Sequence, residues 1–183
     1  MSDLDRVRVW AEALITQHLD SSWTFAFDHA KVRAGLCDFT RKRITVSRYL
    51  AARFDDEENY QTLLHEVAHA LAGPREGHNR RWLSIARELG YVGGVRHTGE
   101  TARELAAWVG MCPSGHTVYR HRKPSRATSC LKCSPVYNEA FRIGWMRREV
   151  TNEMRAEAMK PRETTPPAPT RDVQPTYHGE SLF

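Results

Sequence analysis

The chain has 183 residues, of which 40% are hydrophobic and 27% charged, and its formal net charge at pH 7 is +5. This size and composition predict a water-soluble globular protein with one ordinary domain and a small appendage. The N-terminal stretch MSDLDRVRVW is charged from its start, unlike a signal peptide, and no apolar run approaches the ~18 residues of a membrane span. We therefore expect a cytoplasmic protein with no membrane partner.

The first half of the chain alternates helix and strand patterns. Apolar residues at helical spacing predict a helix over about 3–19, with Ser2 or Asp3 as its N-cap. The β-forming stretch WTFAFD follows, and the next β-rich stretch predicts a hairpin of about 33–39 with 43–47.

Two further helices have clear start and stop signals. Asp55 and Asp56 favour a helix start, and Gly73 followed by Pro74 ends that helix. The next helix begins after Asn79 and ends near Gly90. From Cys112 onward turn-forming and basic residues dominate, after which FRIGW predicts a strand and residues 148–160 a helix. The proline-rich residues 161–183 predict disorder.

The helix that ends at Gly73 carries a histidine pair. His65 and His69 are four residues apart on one face, so both imidazoles can bind one zinc ion. Glu66 has the position of the general base in H-E-x-x-H zinc proteases. An exposed histidine pair would need no metal, but this helix is otherwise apolar, and unpartnered polar groups are costly to bury. His78, just before the start of the next helix, can be a third ligand. Three protein ligands leave the fourth coordination position of the zinc for water.

Two stretches resemble a known family. LLHEVAHALAG followed by GHNRRWLSIARELG is similar to the SprT-like (Spartan-type) zinc metalloproteases, and AGLCDFTRKRITVSRYL resembles their short hairpin and the segment after it. The likeness covers roughly residues 1–108 and, more loosely, the basic cysteine-containing segment that follows, since SprT-like proteins often carry a C-terminal zinc ribbon. H-E-x-x-H occurs in many zincins, and its combination with G-H-x-x-x-W is more specific. The resemblance implies a zincin-like α+β fold in which helices pack on a short β-sheet, three histidine ligands, and Glu66 as the catalytic base. Trp82 matches the family's aromatic residue and also fits a core position.

Three of the four cysteines are spaced as ligands of a zinc ribbon. They are Cys112, Cys130 and Cys133. Gly115 stands where a fourth ribbon cysteine is usual, and His116 follows it directly, giving C-x3-H…C-x-x-C. His121 is the alternative fourth ligand. We expect a structural zinc here, in addition to the catalytic zinc, and we expect Cys37 to be a buried thiol.

All of the net charge lies in one segment. Residues 1–104 and 139–183 are each neutral overall, whereas residues 105–138 contain five basic residues and no acidic one. The five are Arg120, Arg122, Lys123, Arg126 and Lys132. Interleaved with Tyr119 and histidines, they can follow a phosphate backbone while rings stack on bases. No base-reading helix is evident, so we expect DNA binding without sequence specificity, with a solvated basic loop as the alternative.

These patterns predict four segments. They are a SprT-like metalloprotease domain over 1–108, a basic zinc-ribbon-like module over 109–147, a helical extension over 148–160 and a disordered tail over 161–183. The tail ends in GESLF, which resembles the ending of peptides that bind the bacterial sliding clamp, so the clamp is a candidate partner.

The predicted function is a DNA-associated zinc endopeptidase. The family resemblance implies that its substrates are proteins bound or crosslinked to DNA. A DNA-independent zinc peptidase that processes a dedicated protein such as a repressor is one alternative. A non-enzymatic, zinc-containing DNA-binding adaptor is another, although a structural metal site has no use for a base such as Glu66.

Overall fold

The structure, a computed structural model, describes residues 4–93 and 101–160. Its helices are α1 (Leu4–His18), α2 (Arg48–Ala51), α3 (Asp56–Ala72), α4 (Arg80–Glu88) and α5 (Asn152–Glu157). Its strands are β1 (Thr24–Asp28), β2 (Gly35–Asp38), β3 (Arg43–Ser47), β4 (Trp108–Met111), β5 (Thr117–Arg120) and β6 (Gly144–Arg147). The predicted α+β class is confirmed. Among the described residues no helix is both long enough and apolar enough to cross a membrane.

Helix α3 has well-defined ends, which matters because it carries the histidine pair. At its start Asp55 and Glu58 form a capping box, with the Asp55 carboxylate accepting from the Glu58 N–H at 2.8 Å. At its end Gly73 has φ 103°, a conformation that glycine adopts readily, and its N–H donates to His69 O at 3.0 Å. The chain therefore turns back four residues after His69, as the sequence predicted.

The first sheet has the strand order β1-β3-β2. Strand β3 is central, parallel to β1 and antiparallel to β2, so the predicted hairpin is confirmed. Helices α1 and α3 pack with this sheet around a buried apolar core. Its fully buried members include Val7, Ile44, Leu63 and Val67. This packing places α3, and with it the histidine pair, beside the edge strand β2. The predicted cap of α1 at Ser2 or Asp3 lies outside the described residues.

The second sheet is antiparallel with the order β5-β4-β6. The strand predicted at FRIGW starts later than expected, at Gly144, because Phe141 belongs to a 3₁₀ turn that the Asn138 side chain caps. The predicted helix over 148–160 is shorter, because the Thr151 side chain accepts from the Met154 N–H and sets the helix start at Asn152. Both predictions were right in kind and wrong in their boundaries.

A second core joins the segments on either side of the cysteine-containing part to the first sheet and its helices. Leu105 and Ala158 pack with Tyr49, Leu50 and other apolar residues of the first half. The Arg53 side chain, only 2% exposed, donates from Nε to Ala158 O at 2.9 Å and forms an ion pair with Glu104. The C-terminal segment is thus anchored by buried contacts. The predicted disordered tail and its clamp-like ending lie outside the described residues.

Candidate metal centres and groove

The three predicted histidine ligands converge. His65 and His69 come from α3 and His78 from the loop before α4. Their Nε2 atoms form a triangle, with 3.2 Å between His65 and His69 and 3.0 Å from each to His78. Nitrogen ligands at 2.0–2.1 Å from one tetrahedral zinc lie about 3.3 Å apart, so the triangle fits that ion.

The protonation chemistry of the cluster also favours a cation. In a neutral imidazole Nε2 is either a hydrogen-bond donor or an acceptor. Among three Nε2 atoms that are close to one another, at least two must therefore be donors or two must be acceptors, and such a pair cannot form a hydrogen bond. Burial, with a smaller contribution from His78, lowers the pKa of His69 to about 4. The ring is therefore neutral at physiological pH, which is the form that binds metals. This cluster can hold a metal ion.

Trp82 packs against all three histidines. It is fully buried, as predicted for a core residue, and its ring centroid lies 4.6–5.3 Å from the three imidazole centroids. The Asn79 cap accepts from the Trp82 N–H at 3.1 Å, which fixes the start of α4 and hence the position of Trp82. Trp82 therefore limits the orientations available to the imidazoles.

Tyr91 is a neighbour of the cluster that the sequence analysis missed. Gly90, with φ 90°, ends α4 and returns the chain, and the buried Tyr91 ring then lies 5.4 Å from that of His65. Burial raises the pKa of Tyr91 above its ordinary value. An aromatic residue directly after a helix-ending glycine only weakly indicates a functional position. The local sequence pattern also does not predict that Tyr91 contacts His65, 26 residues earlier.

Glu66 lies beside the histidines but faces a different environment. It is only 7% exposed, and this burial raises the pKa of its carboxyl to about 8. The nearby Cys37 backbone N–H and the Arg33 guanidinium oppose the effect of burial on this pKa, whereas the Asp28 carboxylate adds to it. A buried carboxyl next to a cluster that can hold a metal ion has the surroundings of a proton-transfer group.

The cysteine cluster brings together four potential ligand atoms, and its histidine is His116. The His116 Nδ1 lies 3.7 Å from Cys112 Sγ, 3.6 Å from Cys130 Sγ and 3.2 Å from Cys133 Sγ. Nitrogen and sulfur atoms bound to one tetrahedral zinc are about 3.6 Å apart, so this group also fits a zinc ion. These four residues can hold a metal ion.

The position of Gly115 explains the local geometry of this cluster. Gly115 has φ 80°, and its N–H donates to Cys112 O at 2.9 Å, closing the turn that returns His116 to the cysteines. The alternative ligand, His121, is not part of this cluster and instead lines the groove described below, and its pKa is lowered mainly by burial. Cys37 is outside both clusters and only half-buried, and burial together with the charge of Glu66 raises the pKa of its thiol to about 12.

A groove of about 1010 Å³ runs along the basic segment. Three of the five predicted basic residues line it, namely Arg120, Arg122 and Lys132, together with the aromatic residues Tyr119, Tyr137 and Trp145. Lys123 and Arg126 are exposed but do not line the groove, and the Lys123 ammonium lies 5.2 Å from the centroid of the Trp108 ring. Val32, from the first half of the chain, and Thr101 and Arg103 complete the wall.

Comparison with known proteins identifies the family. The model of the SprT-like family matches residues 6–102, a range that contains the three histidines and Glu66 and ends before the cysteine cluster. Comparison with curated proteins gives no match. The family is of the metalloprotease type, in agreement with a histidine cluster that can hold a metal ion. The chain belongs to the SprT-like family.

Proposed function

We propose that this chain is a zinc-dependent endopeptidase that cleaves proteins bound or crosslinked to DNA. The convergence of the three histidine Nε2 atoms, 3.0–3.2 Å apart and next to the buried Glu66, is the observation that carries this proposal. Three ligands leave a fourth coordination position for chemistry, which is the arrangement of catalytic rather than structural zinc sites.

In this proposal His65, His69 and His78 would hold the zinc ion, which when bound would supply Lewis acidity toward the scissile carbonyl and the attacking water. Glu66 accepts the proton of that water on its carboxylate and then donates it to the leaving amine. Its buried environment suits both steps, because a poorly solvated carboxylate is a stronger base than an exposed one. Trp82 and the helix ends keep the imidazole rings in register for the metal.

The groove supports the proposed association with DNA. Basic side chains there can neutralise phosphates, and exposed aromatic rings can stack on unpaired bases of any sequence. Tyr119 is 41% and Tyr137 53% exposed, so their rings are accessible. We therefore propose single-stranded DNA as the preferred form. The second core packs the segments on either side of the groove-forming part against the first sheet and its helices, which supports a groove on the same folded unit as the histidine cluster.

The proposal is tested by cleavage of a DNA-binding protein with and without single-stranded DNA. The wild-type chain should cleave the substrate faster when DNA is present, and the Glu66→Gln variant should bind DNA equally well without cleaving. Equal cleavage with and without DNA would favour the DNA-independent peptidase. Equal cleavage by both proteins would contradict the assignment of Glu66.

A further inference from the structure

Strand β2 approaches the proposed general base so closely at Gly35 that no side chain fits between them. A Cβ atom added to Gly35 would lie 2.6 Å from Glu66 Oε1, 2.7 Å from its Cγ and 2.9 Å from its Cδ. Favourable contacts between non-bonded heavy atoms begin at about 3.5 Å, so all three distances are repulsive. The Glu66 carboxylate occupies the space in which any other residue at position 35 would place its side chain.

The same strand also supplies a backbone N–H close to the carboxylate. Ser47 N–H donates to Ala34 O at 2.7 Å, and in an antiparallel pair the bonded positions alternate. Ala34 is therefore at a bonded position, and every second residue after it is bonded to β3 as well. Cys37, opposite Ile44, is three residues after Ala34 and so falls at a non-bonded position. Its N–H points away from β3, toward the open edge of the sheet. This N–H lies near enough to the Glu66 carboxyl to lower its pKa, against the larger effect of burial. The outward N–H of Cys37 and the absence of a side chain at Gly35, two residues apart, thus together leave a place for the Glu66 carboxylate.

We propose that Gly35 is a positioning residue for Glu66, because its lack of a side chain lets the carboxylate lie against β2 within reach of the Cys37 N–H. The contact itself is independent of what the protein does. Its consequence for catalysis rests on the proposed function, in which Glu66 transfers the proton.

The backbone conformation of Gly35 does not itself require a glycine, unlike a turn with positive φ. The positive-φ glycines of the described residues are Gly73, Gly77, Gly90 and Gly115, so Gly35 is not among them and alanine is allowed there by its backbone. The atoms that a new methyl group would meet belong to the outer part of one flexible side chain. The alanine is therefore accommodated by displacing Glu66, and the fold around β2 is retained.

The matched control is Gly144, which, like Gly35, is the first residue of its strand. A Cβ added to Gly144 would find its nearest neighbour at 3.9 Å, an ordinary contact. Gly35→Ala should lower kcat about 100-fold, the effect of misplacing a catalytic group by ~1 Å, with KM and zinc content close to the wild-type values. Gly144→Ala should leave kcat unchanged. If Gly35→Ala keeps kcat within about twofold while Glu66→Gln is inactive, the proposal is wrong.

A double-mutant cycle tests the contact without using activity. Thermal unfolding is compared for the wild type, Gly35→Ala, Glu66→Ala and the double variant. Any loss of Tm caused by Gly35→Ala should disappear in the Glu66→Ala background, because the atoms that the methyl group meets are gone. An equal decrease in Tm in both backgrounds would overturn the proposal. If Gly35→Ala lowers Tm in neither background, the kcat of Gly35→Ala described above is the test. If Glu66→Gln cleaves like the wild type, the proposed function is wrong, whereas the double-mutant cycle still tests the contact between Gly35 and the Glu66 side chain.

Discussion

The two clusters of potential metal ligands differ in the number of donors and in their surroundings. The histidine cluster has three ligand atoms, lies against the buried Trp82 and is next to a buried carboxyl group. The cysteine cluster has four ligand atoms on two tight turns. Four protein ligands complete a tetrahedral zinc site, whereas three leave a position for water or substrate. The number of ligands therefore favours the proposed catalytic role for the histidine cluster and the predicted structural role for the cysteine cluster.

The largest expected effect is the loss of the cysteine site. Cys130→Ser should remove one metal equivalent, unfold the segment around β4–β6 and abolish DNA binding, because structural zinc contributes on the order of 10 kcal/mol to such small units. Metal analysis and DNA-binding assays measure these effects. His116→Ala should behave in the same way and His121→Ala should keep the metal. The reverse result would show that the ligand assignment is wrong.

Removing one ligand of the histidine cluster should abolish function and preserve DNA binding. His69→Ala should lose the other metal equivalent, and its protease activity should fall at least about 10⁴-fold, because the site loses both the metal and its activation of water. DNA binding should stay at the wild-type level, since the groove is built from other residues. Loss of both metal equivalents in this variant would contradict the independence of the two clusters.

The pKa of Glu66 predicts a pH-dependent stability. Burial raises that pKa from 4.5 to about 8, so the folded chain favours the protonated carboxyl. The resulting stabilisation is complete below pH 4.5 and is lost as the pH rises through 8. In the His69→Ala background, where a bound cation does not oppose the shift, Glu66→Gln should add little stability at pH 4 and on the order of 4 kcal/mol at pH 9. Urea unfolding at the two pH values measures this difference, and an equal effect at both would contradict it.

The smallest expected effects concern the groove. If three basic residues contact single-stranded DNA, log K should fall with log salt with a slope of about −2.1, whereas five contacts to duplex DNA give about −4.5. The double variant Arg120→Ala/Lys132→Ala should reduce the single-strand slope by about 1.4. The matched pair Lys123→Ala/Arg126→Ala should leave it unchanged, because these residues do not line the groove. A larger effect of the second pair would place the binding surface elsewhere.

Much of this architecture is predictable because it depends on local signals. The capping of α3 by Asp55 and its end at Gly73 follow from short-range propensities, and together they determine where His78 returns. The spacing of the cysteines likewise indicates the second cluster, and the structure brings His116 to it through the positive φ of Gly115. These features need only a few neighbouring residues to be recognised.

The remaining features depend on contacts between distant parts of the chain. Gly35 meets Glu66 across 31 residues, and the packing of Ala158 with Tyr49 spans more than 100. Neither contact leaves a periodic pattern in the sequence. The late start of β6 has a different cause, since the side-chain cap of Asn138 competes locally with the strand pattern that begins at Phe141.

The most direct test of the account is a metal count combined with a cleavage assay on Glu66→Gln. This variant keeps all seven potential ligands of the two clusters, so we predict two zinc equivalents per chain, unchanged DNA binding and no cleavage of a DNA-bound protein. That result would separate the proton-transfer role of Glu66 from metal binding. Cleavage at the wild-type rate by a fully metal-loaded Glu66→Gln protein would contradict the account.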